Sequence, residues 1–207
     1  MKNIYCLLIV SFLCIFSLLP AGAQTLSEKD FQVLNMNDGL SDNDIHSVAK
    51  DTEGFMWFGT GSGLNRYDGR TFKVFRMPGI SYRRIDRVVS LDTDYLLLRS
   101  EQNLFLFDKK YERFLPVCDS VSKQPVMFAD FVADSDGSCW GVSSGELSEV
   151  NFPSSFVQDT AFVSVRHVVN NSQSDPFVVL CMGEDGRCCI VQAGMELSIV
   201  LRPDKGS

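Results

Sequence analysis

Residues 37–76 read NDGLSDNDIHSVAKDTEGFMWFGTGSGLNRYDGRTFKVFR, and this stretch decides the fold. In it, short apolar groups alternate with clusters of Asp, Gly, Asn and Ser, the residues that favour turns. The apolar groups lie at 45–48, 56–58, 64–67 and 72–75, and each is long enough for one short strand. Their aromatic and β-branched residues favour strands over helices. The stretch therefore predicts four short strands joined by tight turns.

The same arrangement returns along the chain with a period near 41 residues. Its marker is an aspartate that opens a turn-like cluster, found at Asp51, Asp92, Asp134 and Asp175. Each marker is predicted to separate a first from a second strand. The predicted first strands are 45–48, 88–89, 131–132 and 168–169, the second 56–58, 96–98, 139–141 and 177–180, and the third 64–67, 104–107, 147–150 and 188–191. A less regular fourth strand carries Phe72 and Phe75, then Phe114, then Phe152.

Four strands in a unit of about 40 residues are the pattern of a β-propeller blade. We therefore predict an all-β fold of about four four-stranded blades, forming a partial propeller. The predicted repeats are 35–76, 77–116, 117–157 and 158–207, and segment 24–34 before them contains a candidate closing strand at Phe31–Leu34. A β-sandwich also spaces short strands evenly. It does not require the same residue types every 41 positions, so the propeller is favoured.

The quoted stretch strongly resembles the repeat of the two-component regulator propeller family. The matching pieces are N-D-G-L-S at 37–41, D-T-E-G at 51–54, M-W-F-G-T at 56–60 and G-L-N-R-Y-D-G at 63–69. Residues 128–152 keep part of this signature, and the last copy keeps only the spacing. The resemblance implies the periplasmic sensor of a hybrid two-component system, responding to a ligand that is often a carbohydrate breakdown product and coupled to a cytoplasmic histidine kinase.

The N-terminus has the order of a secretory signal peptide. Lys2 precedes an apolar run at 4–19, and Pro20-Ala21-Gly22-Ala23 ends the run with small residues. A bilayer-spanning helix needs about 20 residues, so an uncleaved anchor is the weaker alternative. We expect cleavage after Ala23 and an exported, periplasmic product. A full-length relative would belong to an inner-membrane sensor.

Charge and cysteine content narrow the functional classes. The formal net charge is −7, which does not suggest nucleic acid as a partner. Five cysteines follow the predicted signal peptide, at Cys118, Cys139, Cys181, Cys188 and Cys189. An odd number does not form a complete set of disulfides within one chain, so we expect mainly small buried strand residues. His46 and His167 do not lie in a ligand-spaced cluster, so no metal site and no cofactor are predicted.

Several residues admit both a structural and a functional interpretation. Trp57 and Trp140 could stack on a sugar ring, but their position inside predicted strands favours a core between blades, where replacement costs about 3–5 kcal/mol. Gly59, Gly61 and Gly63 lack the helix and the lysine of a phosphate-binding loop, so a tight turn is expected.

Several charged residues also admit both a structural and a functional interpretation. The carboxylates of Asp42, Asp44, Asp134 and Asp136 could be paired for acid–base chemistry, but a turn-forming role is the default. The only basic cluster is Arg83, Arg84 and Arg87, which could clamp an anionic sugar or carboxylate, although a solvated loop is favoured. No residue is predicted to be catalytic, cofactor-binding or metal-binding, and the ligand-binding residues are left unassigned.

These observations predict an exported ligand-sensing or interaction module that is not an enzyme. The chain reaches Ser207 without a second propeller, a membrane helix or a kinase, so we expect a fragment of a larger sensor. The expected partners are a small saccharide, the remaining blades or domains of that sensor, or a second copy in a homodimer. The alternatives are an exported propeller enzyme acting on polysaccharide and a truncated product without function.

Overall fold

The computed structural model of the protein describes residues 31–79, 84–133, 139–143, 146–153, 156, 159–170, 177–182, 188–192 and 198–200. The predicted signal peptide, Arg83, Asp134, Asp136 and Asp175 lie outside these residues. The described part of the chain contains β-strands, a 3-10 helix at Met36–Asp38 and no α-helix. None of its helical segments has the length and apolar character needed to cross a bilayer. Residues 31–34, within the segment predicted to hold a closing strand, lie in no strand.

The first blade forms as the sequence predicts. Its strands are β1 (Ile45–Lys50), β2 (Met56–Thr60), β3 (Gly63–Tyr67) and β4 (Phe72–Phe75), arranged in that order in one antiparallel sheet. Trp57 lies opposite Ala49 and Arg66, so it shares one face of the sheet with them. Short connections hold the four strands in register, which explains why local sequence was sufficient to predict them.

The second and third blades are joined into one eight-stranded sheet. Blade two contains β5 (Arg87–Ser90), β6 (Tyr95–Ser100), β7 (Asn103–Asp108) and β8 (Arg113–Asp119), and blade three contains β9 (Asp130–Ala133), β10 (Cys139–Ser143), β11 (Glu146–Asn151) and β12 (Ala161–Asn170). The strand order is β5-β6-β7-β8-β12-β11-β10-β9. The junction is a parallel pairing in which residues 117–119 of β8 lie beside 161–163 of β12.

Two strand predictions in the last half of the chain are wrong. Phe152 lies after β11 and not in a fourth strand, because the outer strand of blade three is β12. Val168 and Val169, predicted to begin the next blade, belong to the end of β12. β12 therefore lies wholly beyond the predicted boundary at residue 157, within the segment predicted to form the fourth repeat. The sequence pattern missed it because the 41-residue period placed the first strand of the next blade at 168–169, whereas the outer strand of blade three continues to Asn170.

The remaining strands form a three-stranded sheet of β13 (Phe177–Met182), β14 (Cys188–Gln192) and β15 (Ser198–Val200), in that order. β13 contacts β9 and β10, just as β5 contacts β1 and β2. It therefore occupies the first position of a blade, where the sequence predicted a second strand. Residue 175 lies between β12 and β13, which belong to different sheets. By contrast, Asp51 and Asp92 lie in turns that connect neighbouring strands of one sheet.

Two hydrophobic cores lie between consecutive blades. The core between blades one and two contains Trp57, Leu64 and Phe107, and the core between blades two and three contains Leu106 and Phe131. Trp57 is 1% exposed, and its ring lies 5.8 Å from that of Phe75 in blade one and 5.6 Å from that of Phe107 in blade two. The predicted inter-blade position of this tryptophan is confirmed.

Trp140 and two of the cysteines also follow the structural interpretation. Trp140 in β10 is 2% exposed, as expected of a core residue. Cys139 is buried in the same strand, and Cys118 is half-buried in β8. Burial raises the pKa of the Cys118 thiol, which lowers its reactivity at neutral pH.

Candidate functional site

The aspartate that marks the repeat is a turn cap. One oxygen of Asp51 accepts the backbone N–H groups of Glu53 and Phe55, at 3.0 and 2.9 Å. Its other oxygen accepts the indole N–H of Trp57 at 2.8 Å. The D-x-x-G-x-x-W spacing therefore fixes the turn between β1 and β2 and orients the tryptophan into the core. Asp92 repeats the cap in blade two, where it accepts the N–H groups of Asp94 and Tyr95.

In blade one a buried ion pair adds to this cap. The ammonium group of Lys109, from blade two, lies 3.7 Å from the Asp51 carboxylate, and the two side chains are 6% and 0% exposed. The same ammonium group donates to the Asp92 carbonyl oxygen at 3.1 Å. The pair links the turns of two consecutive blades, since Asp51 caps one and Asp92 the other.

The N-D-G-L-S element binds the end of the first blade. Asn35 caps the 3-10 helix Met36–Asp38, and Gly39 follows with φ of 104°, a value that favours glycine. The Ser41 N–H donates to the Asn65 side-chain oxygen at 2.9 Å, and the Asn65 amide donates back to the Ser41 hydroxyl at 2.8 Å. The Ser41 hydroxyl also contacts that of Thr60 at 2.9 Å. Three separate pieces of the sequence signature thus meet in one hydrogen-bonded network.

The glycines of the signature have two different structural roles. Gly61 lies in the two-residue turn between β2 and β3, and Gly63 follows it with φ of 136°, so the predicted tight turn is confirmed for both. Gly59 lies inside β2 instead, where a Cβ would stand 2.7 Å from the carbonyl oxygen of Ile85. It is required because the chain entering blade two passes directly over this strand.

Of the carboxylates considered for acid–base chemistry, Asp42 and Asp44 lie within the described residues, and each has other partners. Asp42 accepts the backbone N–H of Asp44 and the hydroxyl of Ser62, at 3.0 and 2.9 Å. These bonds, the one from Asp44 first, lower the pKa of Asp42 below its ordinary value of 3.8. Asp44 is 70% exposed and lies 3.3 Å from His46. The turn-forming interpretation therefore holds for Asp42.

The basic cluster is dispersed by the fold. Arg84 pairs with Asp86 on the surface, whereas Arg87 reaches into the next blade and donates to Asp130 at 2.9 Å. In the described ranges no three His, Cys, Asp or Glu side chains come together as metal ligands.

A cleft opens in blade three where β8 and β12 part. The two strands run in parallel only as far as Asp119 and Val163. Beyond these residues β12 continues beside β11, while the chain after β8 crosses over blade two, where the Phe128 N–H donates to the Gln102 carbonyl oxygen at 2.8 Å. The space between that crossing segment, residues 120–129, and the strands β11 and β12 has a volume of about 280 Å³. We call it the blade-three cleft.

The polar wall of the blade-three cleft is built by three side chains of β11 and β12. Ser148 and His167 lie directly opposite each other next to a β-bulge, and the serine hydroxyl is 2.9 Å from His167 Nδ1. Glu146 Oε2 lies 3.5 Å from the same nitrogen. A hydrolytic triad needs the acid and the nucleophile on opposite ring nitrogens. This arrangement therefore does not fit nucleophilic catalysis, but it holds the imidazole in place at the rim.

The rest of the cleft combines polar groups with an apolar floor. Val126, Phe128 and Val165 line the floor, and Ser122 and Asp119 lie at the end of β8. The Ser122 N–H donates to the Asp119 carboxylate at 2.7 Å, and this bond is the main cause of the lowered pKa of Asp119. An ionised carboxylate, hydroxyl groups and an imidazole over an apolar floor can bind a small neutral molecule with many hydroxyl groups.

Little in the sequence indicates the blade-three cleft. His167 is one of two histidines outside any cluster, and no motif marks Glu146 or Ser148. The feature that could have revealed them is the strand alternation of 146–150, where Glu146 and Ser148 share a face. Their meeting with His167 depends on the length and register of β12.

Comparison with known proteins agrees with this fold. Residues 39–62 match the two component regulator propeller family. Histidine kinase P4 from Formosa agariphila is 37% identical over 78 residues, which make up 37% of this chain and 5% of that protein. The extracellular domain of a hybrid two component system from B. thetaiotaomicron superposes with a TM-score of 0.60 at 19% identity, covering 82% of this chain and 25% of that chain.

The extracellular domain of a one component system from the same organism superposes with a TM-score of 0.58 at 16% identity, covering 82% of this chain and 26% of that chain. The present chain thus spans about a quarter of each of these two structures. At such identities the likeness to the solved structures concerns the fold, and the match to the family concerns residues 39–62, which lie in the first blade and the segment that leads into it. Residues 39–62 therefore match the repeat of the two component regulator propeller family, and they lie in an all-β chain of propeller-type blades.

Proposed function

We propose that this chain is an exported, periplasmic sensing module that binds a small saccharide and acts as part of a larger signal-transduction protein. The observation that carries the proposal is the matched repeat at residues 39–62, together with the fold shared with extracellular domains of two component systems. The signature residues Asp51, Trp57, Ser41 and Asn65 stabilise turns or contacts within and between blades. Ligand recognition is therefore assigned to residues outside the signature.

The blade-three cleft is the site proposed for the saccharide. Its volume of about 280 Å³ lies near the lower end of ligand pockets, about 300 Å³, and suits a single sugar ring. Glu146 and His167 are 40% and 66% exposed at its rim, where they can exchange hydrogen bonds with sugar hydroxyls. The two carboxylates of Glu146 and Asp119 disfavour an anionic ligand by charge repulsion. The proposed ligand is accordingly a neutral sugar, bound and not cleaved.

Calorimetry of the full chain against a panel of neutral mono- and oligosaccharides tests this proposal. The variant Glu146→Gln is expected to weaken binding at least tenfold, because it removes a charged acceptor for sugar hydroxyls. Glu53→Gln is the matched control, since Glu53 is an exposed carboxylate at the turn between β1 and β2, away from the cleft. Unchanged binding by Glu146→Gln would move the site elsewhere. Silence of the folded protein across the panel would contradict the saccharide proposal itself.

We further propose that another blade of the same sensor covers the outer face of blade one. This face carries Val48, Phe58, Tyr67 and Phe72, and none of the four is buried. Val48 is 50% exposed, and the Tyr67 and Phe72 rings lie 4.6 Å apart between centroids. The opposite face of the same sheet packs on blade two. An aromatic sheet face in water favours association, so a second copy in a homodimer is the competing arrangement.

Light scattering distinguishes these arrangements. The chain of 207 residues is expected to self-associate, and a Phe72→Ser variant to shift it towards monomer. A longer version of the sensor is expected to be monomeric without that substitution. A sharp monomer peak of the unmodified chain, with a cooperative melting transition, would contradict the uncovered face as the cause of association.

A further inference from the structure

A pair of arginines between blades two and three forms a second candidate site, distinct from the blade-three cleft. Arg87 of β5 and Arg99 of β6 lie directly opposite each other in the antiparallel pairing. Directly opposite residues share a face and bring their Cβ atoms to about 5 Å. The neighbouring pair, Val89 and Leu97, packs into the core between blades two and three. The two guanidinium groups therefore also face blade three.

The two arginines are not equally neutralised. Arg87 donates to the Asp130 carboxylate at 2.9 Å, and its guanidinium carbon lies 5.5 Å from the centre of the Phe131 ring. Arg99 has no carboxylate partner among the described residues. Its Nε is buried and has no hydrogen-bond partner in that part of the chain. Within the described part of the chain, one positive charge thus has no counterion and lies beside another arginine.

Asp86, which hydrogen-bonds to the Arg99 backbone, is already engaged through both of its carboxylate oxygens. One oxygen of Asp86 accepts the Glu101 N–H at 2.7 Å, and the other pairs with Arg84. The Asp86 N–H in turn donates to the backbone carbonyl oxygen of Arg99 at 2.8 Å, which fixes the strand but not the guanidinium group. Two like charges placed directly opposite each other destabilise a sheet. A buried Nε–H without a partner adds a desolvation cost.

A bound oxyanion would reduce the repulsion between the two arginines and would also give the Arg99 Nε–H group an acceptor. A guanidinium group offers a planar fork of N–H donors that matches a carboxylate or sulfate group, and two such groups side by side hold one anion more tightly than either alone. Arg87 is 35% exposed in its side chain, and Arg99 is half-buried, so the pair is open to solvent. We infer that Arg87 and Arg99 form a binding site for a small oxyanion, either a carboxylate group carried by an acidic sugar or an inorganic sulfate.

The inference does not depend on the proposed neutral-sugar site, because the blade-three cleft carries two carboxylates and this site carries two arginines. Its test uses the full chain in chloride buffer at constant ionic strength. Sodium sulfate, sodium galacturonate and neutral galactose are titrated separately, and the melting temperature is followed for each. A saturable rise with sulfate or galacturonate, and none with galactose, is expected.

The decisive variant is Arg99→Met, which keeps the apolar stem and removes the charge. It is expected to weaken the anion response at least tenfold, and in chloride alone to melt no lower than the unmodified protein. Arg66→Met is the matched control, because Arg66 is also a half-buried strand arginine and lies over the Phe55 ring at 4.6 Å. Sulfate stabilises most proteins without a site, so only a saturable response that the control retains counts as binding.

Nitrogen-15 NMR of the unmodified protein gives a readout that does not rely on the variant folding. The Arg99 Nε–H resonance is expected to shift saturably with the bound anion, because that donor acquires an acceptor. Response to galacturonate but not sulfate would identify an acidic sugar as the source of the anion, and the reverse would identify an inorganic ion. An unmoved resonance, or an anion response unchanged by Arg99→Met, would overturn the inference.

Discussion

Replacing Asp51 by asparagine tests the central structural claim about the repeat. The substitution preserves shape and one side-chain oxygen, which continues to accept the N–H groups of Glu53 and Phe55. The other oxygen becomes an NH₂ group that faces the Trp57 indole N–H, a donor, across 2.8 Å. It also leaves the Lys109 ammonium group without its buried counterion.

The expected cost follows from these contacts. Removing one partner of a buried ion pair costs about 3–5 kcal/mol. Lys109 keeps a hydrogen bond to the Asp92 carbonyl oxygen, so the lower end of that range applies. We therefore expect Asp51→Asn to lower the free energy of unfolding by about 3 kcal/mol.

Urea unfolding followed by circular dichroism measures this change, with an unaltered m-value showing that the unfolding transition itself is the same. Asp92→Asn is a matched control supplied by the repeat. Asp92 also accepts two turn N–H groups through one oxygen, from Asp94 and Tyr95, but it is exposed, and no tryptophan or lysine side chain contacts its carboxylate in the described structure. Its substitution is expected to cost about 0.5 kcal/mol or less.

A double-mutant cycle then isolates the pair. Lys109→Met in the Asp51→Asn background is expected to restore part of the lost stability, because the uncompensated cation is removed, with a coupling of at least about 1 kcal/mol. Equal costs for Asp51→Asn and Asp92→Asn, or simple additivity with Lys109→Met, would refute the argument that the buried pair joins blades one and two.

Three further predictions concern the first blade. Gly59→Ala is expected to destabilise the protein by about 1–3 kcal/mol in thermal melts, because the added methyl meets the rigid Ile85 carbonyl; a neutral result would contradict that close approach. Ser41→Ala is expected to cost about 0.5–1.5 kcal/mol by removing the nearest acceptor of the buried Asn65 amide, which keeps only longer contacts with Thr60 and Gly63, and to speed limited proteolysis within 35–44; unchanged proteolysis would mean that this contact does not hold the segment. The pKa of Asp42 is lowered below 3.8, so its stabilising effect is present above pH 3.8 and is lost as the pH falls further. Asp42→Asn should therefore flatten the fall of the melting temperature between pH 6 and pH 3, and an unaltered slope would argue against the Asp44 and Ser62 bonds.

Blade one was predictable because its contacts are local. The side-chain hydrogen bonds of Asp51 all reach groups within six residues of it, and the strand pairs of β1–β4 are joined by short turns. The boundaries of the later blades were not predictable in the same way. The sequence repeats its aspartate near residue 175, but an outer strand of ten residues, Ala161–Asn170, displaces the next blade along the chain. Nothing local distinguishes the outer strand of one blade from the inner strand of the next, since both are short apolar segments.

The sequence by itself determined the all-β class, the four-stranded unit, the family of the first repeat and the core positions of Trp57 and Trp140. These depend on periodicity and on turn residues that act over a few positions. The tertiary structure alone decided the blade-three cleft, the Asp51–Lys109 pair and the unneutralised Arg99. Each of these is set by how separate strands and blades lie against one another, as in the pairing of Arg87 with Asp130 across 43 residues of sequence. Such contacts depend on strand length and register, which a residue pattern repeated every 41 positions does not specify.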